Sequence, residues 1–317
     1  MIENVAHFIW FGESLPWLHV PALCSAVDNG GFERAILHHS DVLIDSKARR
    51  QLEAKSGVEL KRLEPEALLG DIPRIGPQFV DLLRGLTQPA ARANVVRAAL
   101  LHRFGGVYLD TDTVCVGSFT DLLDGSRVFC GEEPVCVPAA LAGKLDPVLH
   151  AQSLAMQAVR EAFRLLPGGW RSFRKIEPVC WFEVNNAVFA AEAGHPFTLS
   201  LLEKMVSLPT EIQTRRYALG THLLQAMVTN YEGNDLRVYP PSYFYPLGPE
   251  ISHHWFRRGT ARDLPQMLQA STRLVHWYAS VRTKKIVPRI DPEFVLRTKD
   301  DLAISRLVAP WADALER

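Results

Sequence analysis

The stretch Ala93-Asn94-Val95-Val96-Arg97 leads through Leu100-Leu101-His102-Arg103-Phe104-Gly105-Gly106 into Val107-Tyr108-Leu109-Asp110-Thr111-Asp112-Thr113-Val114. Residues Pro89 to Phe104 read as a helix. The proline lies near the start, where no amide donor is needed, and alanines fill the body. His102 and Arg103 lie at the negative end of the helix dipole, and Gly105-Gly106 supplies a left-handed stop. Val107 to Leu109 is then a short apolar strand ending in two carboxylates. The passage from helix to strand to acid pair has no linker, so the pair is fixed by the fold on its N-terminal side.

Working outward, Val5 to Phe11 and Gly12 read as a buried strand ending in a loop. Trp17 to Val27 reads as a helix stopped by Asn29-Gly30-Gly31. Arg34 to His38 and Val58 to Leu63 read as strands, with a charged helix over Ser46 to Lys55 between them. Strands alternating with helices predict the α/β class with a mostly parallel central sheet flanked by helices. In the second half, helices are expected over Pro147 to Leu166, Phe197 to Val206 and Tyr217 to Asn230. Strands are expected over Val184 to Ala191 and Leu274 to Tyr278, and Tyr239 to Tyr245 reads as a packed aromatic loop. No repeat or low-complexity linker divides the 317 residues, so one continuous domain over 1–317 is expected.

The 35 basic residues balance 35 acidic ones, which argues against a broad nucleic-acid-binding face and leaves room for a compact phosphate site. No apolar run approaches the roughly 20 residues that span a bilayer. The segment Met1 to His7 carries an early acid and no basic cluster, unlike a secretory signal. Five cysteines, odd in number and with no CxxC pair, fit reduced thiols in a cytoplasmic location rather than a disulfide scaffold or a cysteine zinc site. The cluster Arg282, Lys284, Lys285 and Arg289 reads first as a solvated face, with attraction of an anionic acceptor or peripheral contact with a membrane surface as the alternative. The pairs His38-His39 and His253-His254 read as structural, since adjacent strand residues face opposite ways.

Asp110 and Asp112 are two apart, so in an extended chain both carboxylates leave the same face. Held that close they repel, unless a cation sits between them or one is protonated. Magnesium or manganese takes one or two protein carboxylates together with phosphate oxygens and water, so the pair suggests a metal–diphosphate site. The plain alternative is a solvated turn, where aspartate is common for backbone reasons. Asn94 and Arg97 share a helix face and can reach one ligand.

The junction over 93–112 resembles the sugar-binding DXD region of glycosyltransferase family 32, which is related to the catalytic domains of large clostridial glucosylating toxins. His7-Phe8-Ile9-Trp10-Phe11-Gly12 resembles the family's opening strand, and His276-Trp277-Tyr278-Ala279-Ser280 its closing segment. Phe182 to Pro196, with Asn185-Asn186, is similar to its central strand and following helix. The resemblance implies a GT-A-type, Rossmann-like fold and a metal-dependent, retaining transfer of a sugar from a nucleotide-sugar, a UDP-sugar by expectation. It implies a nucleotide-sugar half over 1–130 and an acceptor half over 131–317. It casts Asp110, Asp112 and Arg97 in the catalytic roles. Asp112, Asp110 and His276 become the candidate ligands for Mn2+ or Mg2+. Donor contacts fall to Trp10, Phe8, Asn94, Arg97, Tyr108, Asp110, Asn186 and Ser280. Trp10 would stack on the base, a contact worth about 1–3 kcal/mol, and Tyr108 would line the nucleotide pocket. The acceptor is a glycan, a lipid-linked sugar, a small molecule or a protein side chain.

Two departures stand out: Asn94 replaces the usual Asp of the family's pattern, and Val281 follows Ser280 where many members carry Trp. The first removes a negative charge near the donor sugar. A rival reading is offered by Val107 to Val114, which also resembles the nucleophile motif of haloacid-dehalogenase-type phosphatases. There Asp110 would be the nucleophile, with Lys299-Asp300-Asp301 completing a magnesium site. That motif normally opens its domain, whereas about a third of this chain precedes Asp110. A sugar-binding module without chemistry is the third reading, and the intact acid pair weighs against it.

Overall fold

The computed structural model describes residues 1–72, 74–138, 141, 146–215 and 217–313. Its strands are β1 (Val5–Trp10), β2 (Arg34–His39), β3 (Val58–Arg62), β4 (Gly106–Leu109), β5 (Thr113–Cys115), β6 (Val128–Val135), β7 (Trp181–Ala191), β8 (Leu236–Tyr239) and β9 (Leu274–His276). The longer helices are α1 (Val20–Asp28), α2 (Lys47–Ala54), α3 (Gly76–Gly85), α4 (Pro89–Phe104), α5 (Pro147–Leu165), α6 (Gly169–Ile176), α7 (Pro196–Ser207), α8 (Thr221–Thr229) and α9 (Ala303–Asp313). None of the described helices is long and apolar enough to cross a membrane.

Seven strands form one sheet in the order β3-β2-β1-β4-β7-β6-β8, and β5 pairs with β9 in a second, two-stranded sheet. Pairings β2–β3, β1–β2, β1–β4 and β6–β8 are parallel, whereas β7 runs antiparallel to both β4 and β6. The α/β class and the mostly parallel sheet are therefore as expected. Both faces are covered, which is why the strands read as near-continuous apolar runs. Ala6, Phe8, Val107, Leu109 and Phe129 join one core with α1 and α9, while Ile9, Tyr108, Val128, Cys130 and Phe189 join the other with α4 and α7. Phe8 is thus a fully buried core residue. Residue 130, the expected boundary between the two halves, lies inside β6 at its register shift.

Helix α4 matches its expected span, and Gly105 stops it with a positive φ of 67°. A Cβ on Gly106 would stand 2.6 Å from the Val5 carbonyl oxygen, so the close approach of β4 to β1 requires glycine there. Two expectations were too long. The helix over 217–230 begins only at Thr221, because Tyr217 takes a left-handed φ of 66°. The strand over 274–278 ends at His276, and Tyr278 turns the chain with φ 57°. Strand β6 was not expected: Glu132, Glu133 and Pro134 break the apolar pattern, and its pairing with β7 and β8 supplies what the local sequence lacks.

The histidine pairs are structural. His253 and His254 bond the carbonyls of Arg164 and Phe163, and His39 bonds the Asp41 carbonyl. His38 is buried, with Nε2 3.0 Å from Nδ1 of buried His7, so one ring donates and the other accepts. Burial is the main cause that pushes His7 down to about 4 and His38 to about 3. In the unfolded chain both titrate near about 6.5. The folded values lie below the unfolded ones, so the unfolded chain binds more protons as pH falls through this window and stability declines. The loss is on the order of 2 kcal/mol per histidine by pH 5. Urea midpoints measured at pH 7 and pH 5 should therefore drop clearly for the wild-type chain. They should drop much less for the His7→Gln/His38→Gln variant; equal drops would assign the acid sensitivity elsewhere.

Candidate active site

Strand β4 delivers Asp110 to the end of the sheet, where its amide donates to the Ala187 carbonyl of β7 at 2.9 Å. The turn over Thr111-Asp112 is clamped from two sides. The Thr113 hydroxyl donates to the Asp110 carbonyl at 2.7 Å, and Nδ1 of His19 lies 3.0 Å from the Thr111 carbonyl. Strand β5 follows at once and pairs with β9, setting Thr113 opposite His276. The C-terminal strand thereby brings His276 beside an acid 164 residues earlier: Nε2 of His276 stands 3.1 Å from Oδ1 of Asp112.

The other oxygen of Asp112 accepts from the Ala279 amide at 2.7 Å. Burial opposes ionisation of this carboxyl, but the charge and hydrogen bond of His276 and the Ala279 amide outweigh it and hold it at about 2. Burial likewise lowers the affinity of His276 for a proton, and Asp112 overcomes it, so the imidazole is raised above its ordinary value. Ligand atoms of Asp110, Asp112 and His276 all lie within 4.8 Å of one another.

Asp110 is held from the helix side. Nη2 of Arg97 donates to its Oδ1 at 3.1 Å, and the Tyr108 hydroxyl donates to the same atom at 2.7 Å. Arg97 is buried, with its guanidinium 4.1 Å above the Tyr108 ring and Nη1 bonded to the Asn186 carbonyl. Asn186 in turn donates from Nδ2 to Oδ1 of Asn94 at 2.9 Å.

These groups line a cleft of about 380 Å³. It unites Asn94, Arg97, Asp110, Asp112, Asn186, His276 and Ser280 of the expected set. Three expected donor contacts lie off it. Phe8 is core, and Tyr108 is buried beneath Asp110, acting on the cleft through its hydroxyl. Trp10 stands at the end of β1, its ring 4.9 Å from His19, which lies 5.4 Å from Trp277. This aromatic row backs the Asp110–Asp112 turn from outside the cleft.

Sequence reasoning passed over several residues of the site. Tyr278 and Glu133 both reach the cleft, and the Tyr278 hydroxyl donates to Oε2 of Glu133 at 2.5 Å. Burial raises Glu133 above the usual carboxylate range, partly offset by hydrogen bonds from Tyr278 and Asn185. Tyr278 had a signal, since it lies two residues after His276 and packs its ring 3.8 Å from that imidazole. Glu133 had none, because β6 was not legible. Gly220 also reaches the cleft: a Cβ there would stand 2.6 Å from Nδ2 of Asn94 and 3.2 Å from Nδ2 of Asn186. The residues a phosphatase would need are elsewhere. Lys299, Asp300 and Asp301 do not line the cleft, and Asp301 accepts from the Gly259 amide at 2.7 Å.

Residues 36–129 match the family model described as the glycosyltransferase sugar-binding region containing the DXD motif. The DXD junction over 93–112 lies within those matched residues. No curated protein sequence matches the chain. Solved structures similar to it include the ligand-free glycosyltransferase domain of the YGT toxin, at 8% identity over 98% of this chain and 99% of that one, with a TM-score of 0.45. The galactosyltransferase LgtC, in complex with donor and acceptor sugar analogs, shares 10% identity over 99% of this chain and 96% of that one, with a TM-score of 0.43. The PaToxG glycosyltransferase shares 15% identity over 72% of this chain and 69% of that one, with a TM-score of 0.45. The DXD match and the residues in the cleft support a glycosyltransferase acting on a nucleotide-sugar.

Two carboxylates and an imidazole form a donor set suited to manganese and adequate for magnesium. Among the described residues the buried Nδ1 of His276 has no hydrogen-bond partner, and Nε2 faces Asp112. The residues fit a divalent cation. Manganese binding followed by electron paramagnetic resonance should weaken at least tenfold in Asp112→Asn and in His276→Ala, with unchanged circular dichroism. Wild-type affinity in both variants would remove the metal from this cluster. Gly220→Ala should displace the Asn94 side chain and weaken nucleotide-sugar binding by calorimetry, with manganese affinity retained; unchanged binding would show that Asn94 and Asn186 do not touch the donor.

Proposed function

We propose that this chain is a metal-dependent, retaining glycosyltransferase that moves a hexose from a UDP-sugar to an acceptor, working in the cytoplasm as one GT-A-type domain over residues 1–317. Residues 1–130 would hold the donor and 131–317 the acceptor. The observation that carries the reading is the convergence of Asp110, Asp112 and His276 with the buried guanidinium of Arg97 in one cleft. Cleaving a nucleotide-sugar leaves charge on a departing diphosphate, and cationic groups fixed beforehand at that place lower the barrier most.

In this reading Asp112, Asp110 and His276 would hold Mn2+ or Mg2+. When bound, the metal supplies Lewis-acid stabilisation of the diphosphate. Arg97 is the chain's own cation for the same charge. It is already desolvated and oriented by the Asn186 carbonyl and by Asp110, so little reorganisation accompanies the reaction. Asp110 is tied to Arg97 and Tyr108 through one oxygen, Oδ1, which leaves its second oxygen for the metal or the donor ribose. Asn94 and Asn186, bonded to each other, would meet the hydroxyls of the donor sugar. An amide pair both donates and accepts there, where an aspartate would only accept. No protein nucleophile is assigned, and front-face attack by the acceptor is the mechanism proposed. Trp10 would serve the base from the aromatic row at the end of β1.

The test is donor hydrolysis across UDP- and GDP-hexoses with manganese and with chelator. Hydrolysis of a UDP-hexose that needs the metal and falls at least a hundredfold in Asp112→Asn is the expected outcome. Turnover that persists in chelator, or full activity of Asp112→Asn, would overturn the proposal. Release of phosphate from an aryl phosphate with no need for a nucleotide-sugar would favour the phosphatase chemistry instead.

A further inference from the structure

The polarity of helix α5 is reversed. A surface helix buries its apolar stripe and shows charged groups to water. Here the polar side chains point inward. The Ser153 hydroxyl donates to the Cys136 carbonyl at 2.8 Å, Arg160 donates to Oε2 of Glu250 at 2.9 Å, and buried Arg164 donates to the Glu250 carbonyl. The outward side is apolar. Eleven residues from Val148 to Leu166 are exposed; nine are alanine, valine or leucine, and the other two are His150 and Gln152. Val148 is 66% exposed, Leu154 65% and Leu165 75%. Val148, Ala151, Ala155, Ala158, Ala162 and Leu165 succeed one another at three and four residues, so they share one face of the helix.

Cations border this face. At the end of the helix Arg257 donates to the carbonyls of Arg164, Leu165 and Leu166, and the Arg258 side chain beside it is 92% exposed. Along one side, Nη2 of Arg282 donates to both oxygens of Glu161 at 3.0 and 3.1 Å. Lys284, Lys285 and Ile286 follow in the chain, all exposed. The acids met here already face cations: Glu161 also accepts from Arg164 at 2.7 Å, and Asp301 stands 3.9 Å from Arg258.

We propose that this face docks on an anionic lipid bilayer. Helix α5 lies along the surface with its leucines and valines in the interface, and Arg258, Arg282, Lys284 and Lys285 meet the headgroups. The inference is independent of the glycosyltransferase reading. Interfacial binding grows with the apolar area buried and with attraction to anionic lipid, and this face offers both. The helix rests on the bilayer rather than spanning it, since none of the described helices is long and apolar enough to cross. A second copy of the chain fits the face less well. Antiparallel packing about a two-fold axis would set the cationic side against its own copy, and parallel packing would align the two helix dipoles. The face also adjoins the cleft, because Ser280 and Val281 line it and Arg282 is the next residue. Docking therefore holds the cleft close to the lipid surface.

The test is flotation of the full chain with vesicles of phosphatidylcholine alone, and of phosphatidylcholine mixed with phosphatidylglycerol, at low and high salt. The chain should float with the mixed vesicles at low salt and at least tenfold less with phosphatidylcholine alone, and high salt should weaken its binding. Leu154→Gln/Leu165→Gln and Lys284→Gln/Lys285→Gln should each weaken binding to the mixed vesicles at least tenfold, with unchanged circular dichroism. No flotation of the wild-type chain, equal flotation with both kinds of vesicle, or full binding by either variant would each overturn the proposal. A dimer in vesicle-free solution that Leu154→Gln/Leu165→Gln splits would give the face to a second copy and overturn it as well. If the leucine variant unfolds, the lysine variant and the lipid dependence of the wild-type chain decide.

Discussion

A carboxylate taken out of water must be paid for by a partner, and Asp112 is taken out of water at the centre of this structure. Its neighbour Asp110 adds a second negative charge two residues away, so the turn between β4 and β5 is stable only with positive groups around it. The chain brings them from opposite ends. Arg97 arrives on α4, one helix before the turn, and His276 arrives on β9, near the other end of the chain. Pairing of β5 with β9 is thus what completes the site, and the small second sheet exists at the point where the acids need a counter-charge.

The same arrangement explains how a chain with 35 basic and 35 acidic residues can serve an anionic donor. No basic surface is needed when the positive charge is concentrated at one desolvated place, where each charge acts more strongly than on an exposed face. Arg97 shows the local cost. It is buried, stacked on Tyr108 and bonded to Asp110 and the Asn186 carbonyl, yet its Nε has no partner among the described residues. The guanidinium keeps an orientation that solvent would otherwise randomise.

How much of this was legible depended on whether the information was local. The helix, the glycine stop, strand β4 and the acid pair lie within one stretch, and their spans were read closely because capping, dipole and alternation all act over a few residues. His276 could be named from a motif block, but its bond to Asp112 spans 164 residues and follows only from the β5–β9 pairing. Glu133 was invisible because β6 is held by β7 and β8 rather than by its own pattern. Phe8 and Tyr108 show the converse situation. Motif position suggested donor contacts, whereas strand alternation sends both into the core. Gly220 gives no local signal, because what matters there is spatial: a Cβ would meet the side chains of Asn94 and Asn186.

The central claim is that the acids, the imidazole and Arg97 form one site in which a cation and a diphosphate support each other. Calorimetric titration of UDP into the wild-type chain, with manganese and again with chelator, tests it most directly. The account predicts that manganese tightens UDP binding at least tenfold, and that Arg97→Ala weakens binding in both conditions. Equal UDP affinity with manganese and with chelator would contradict it.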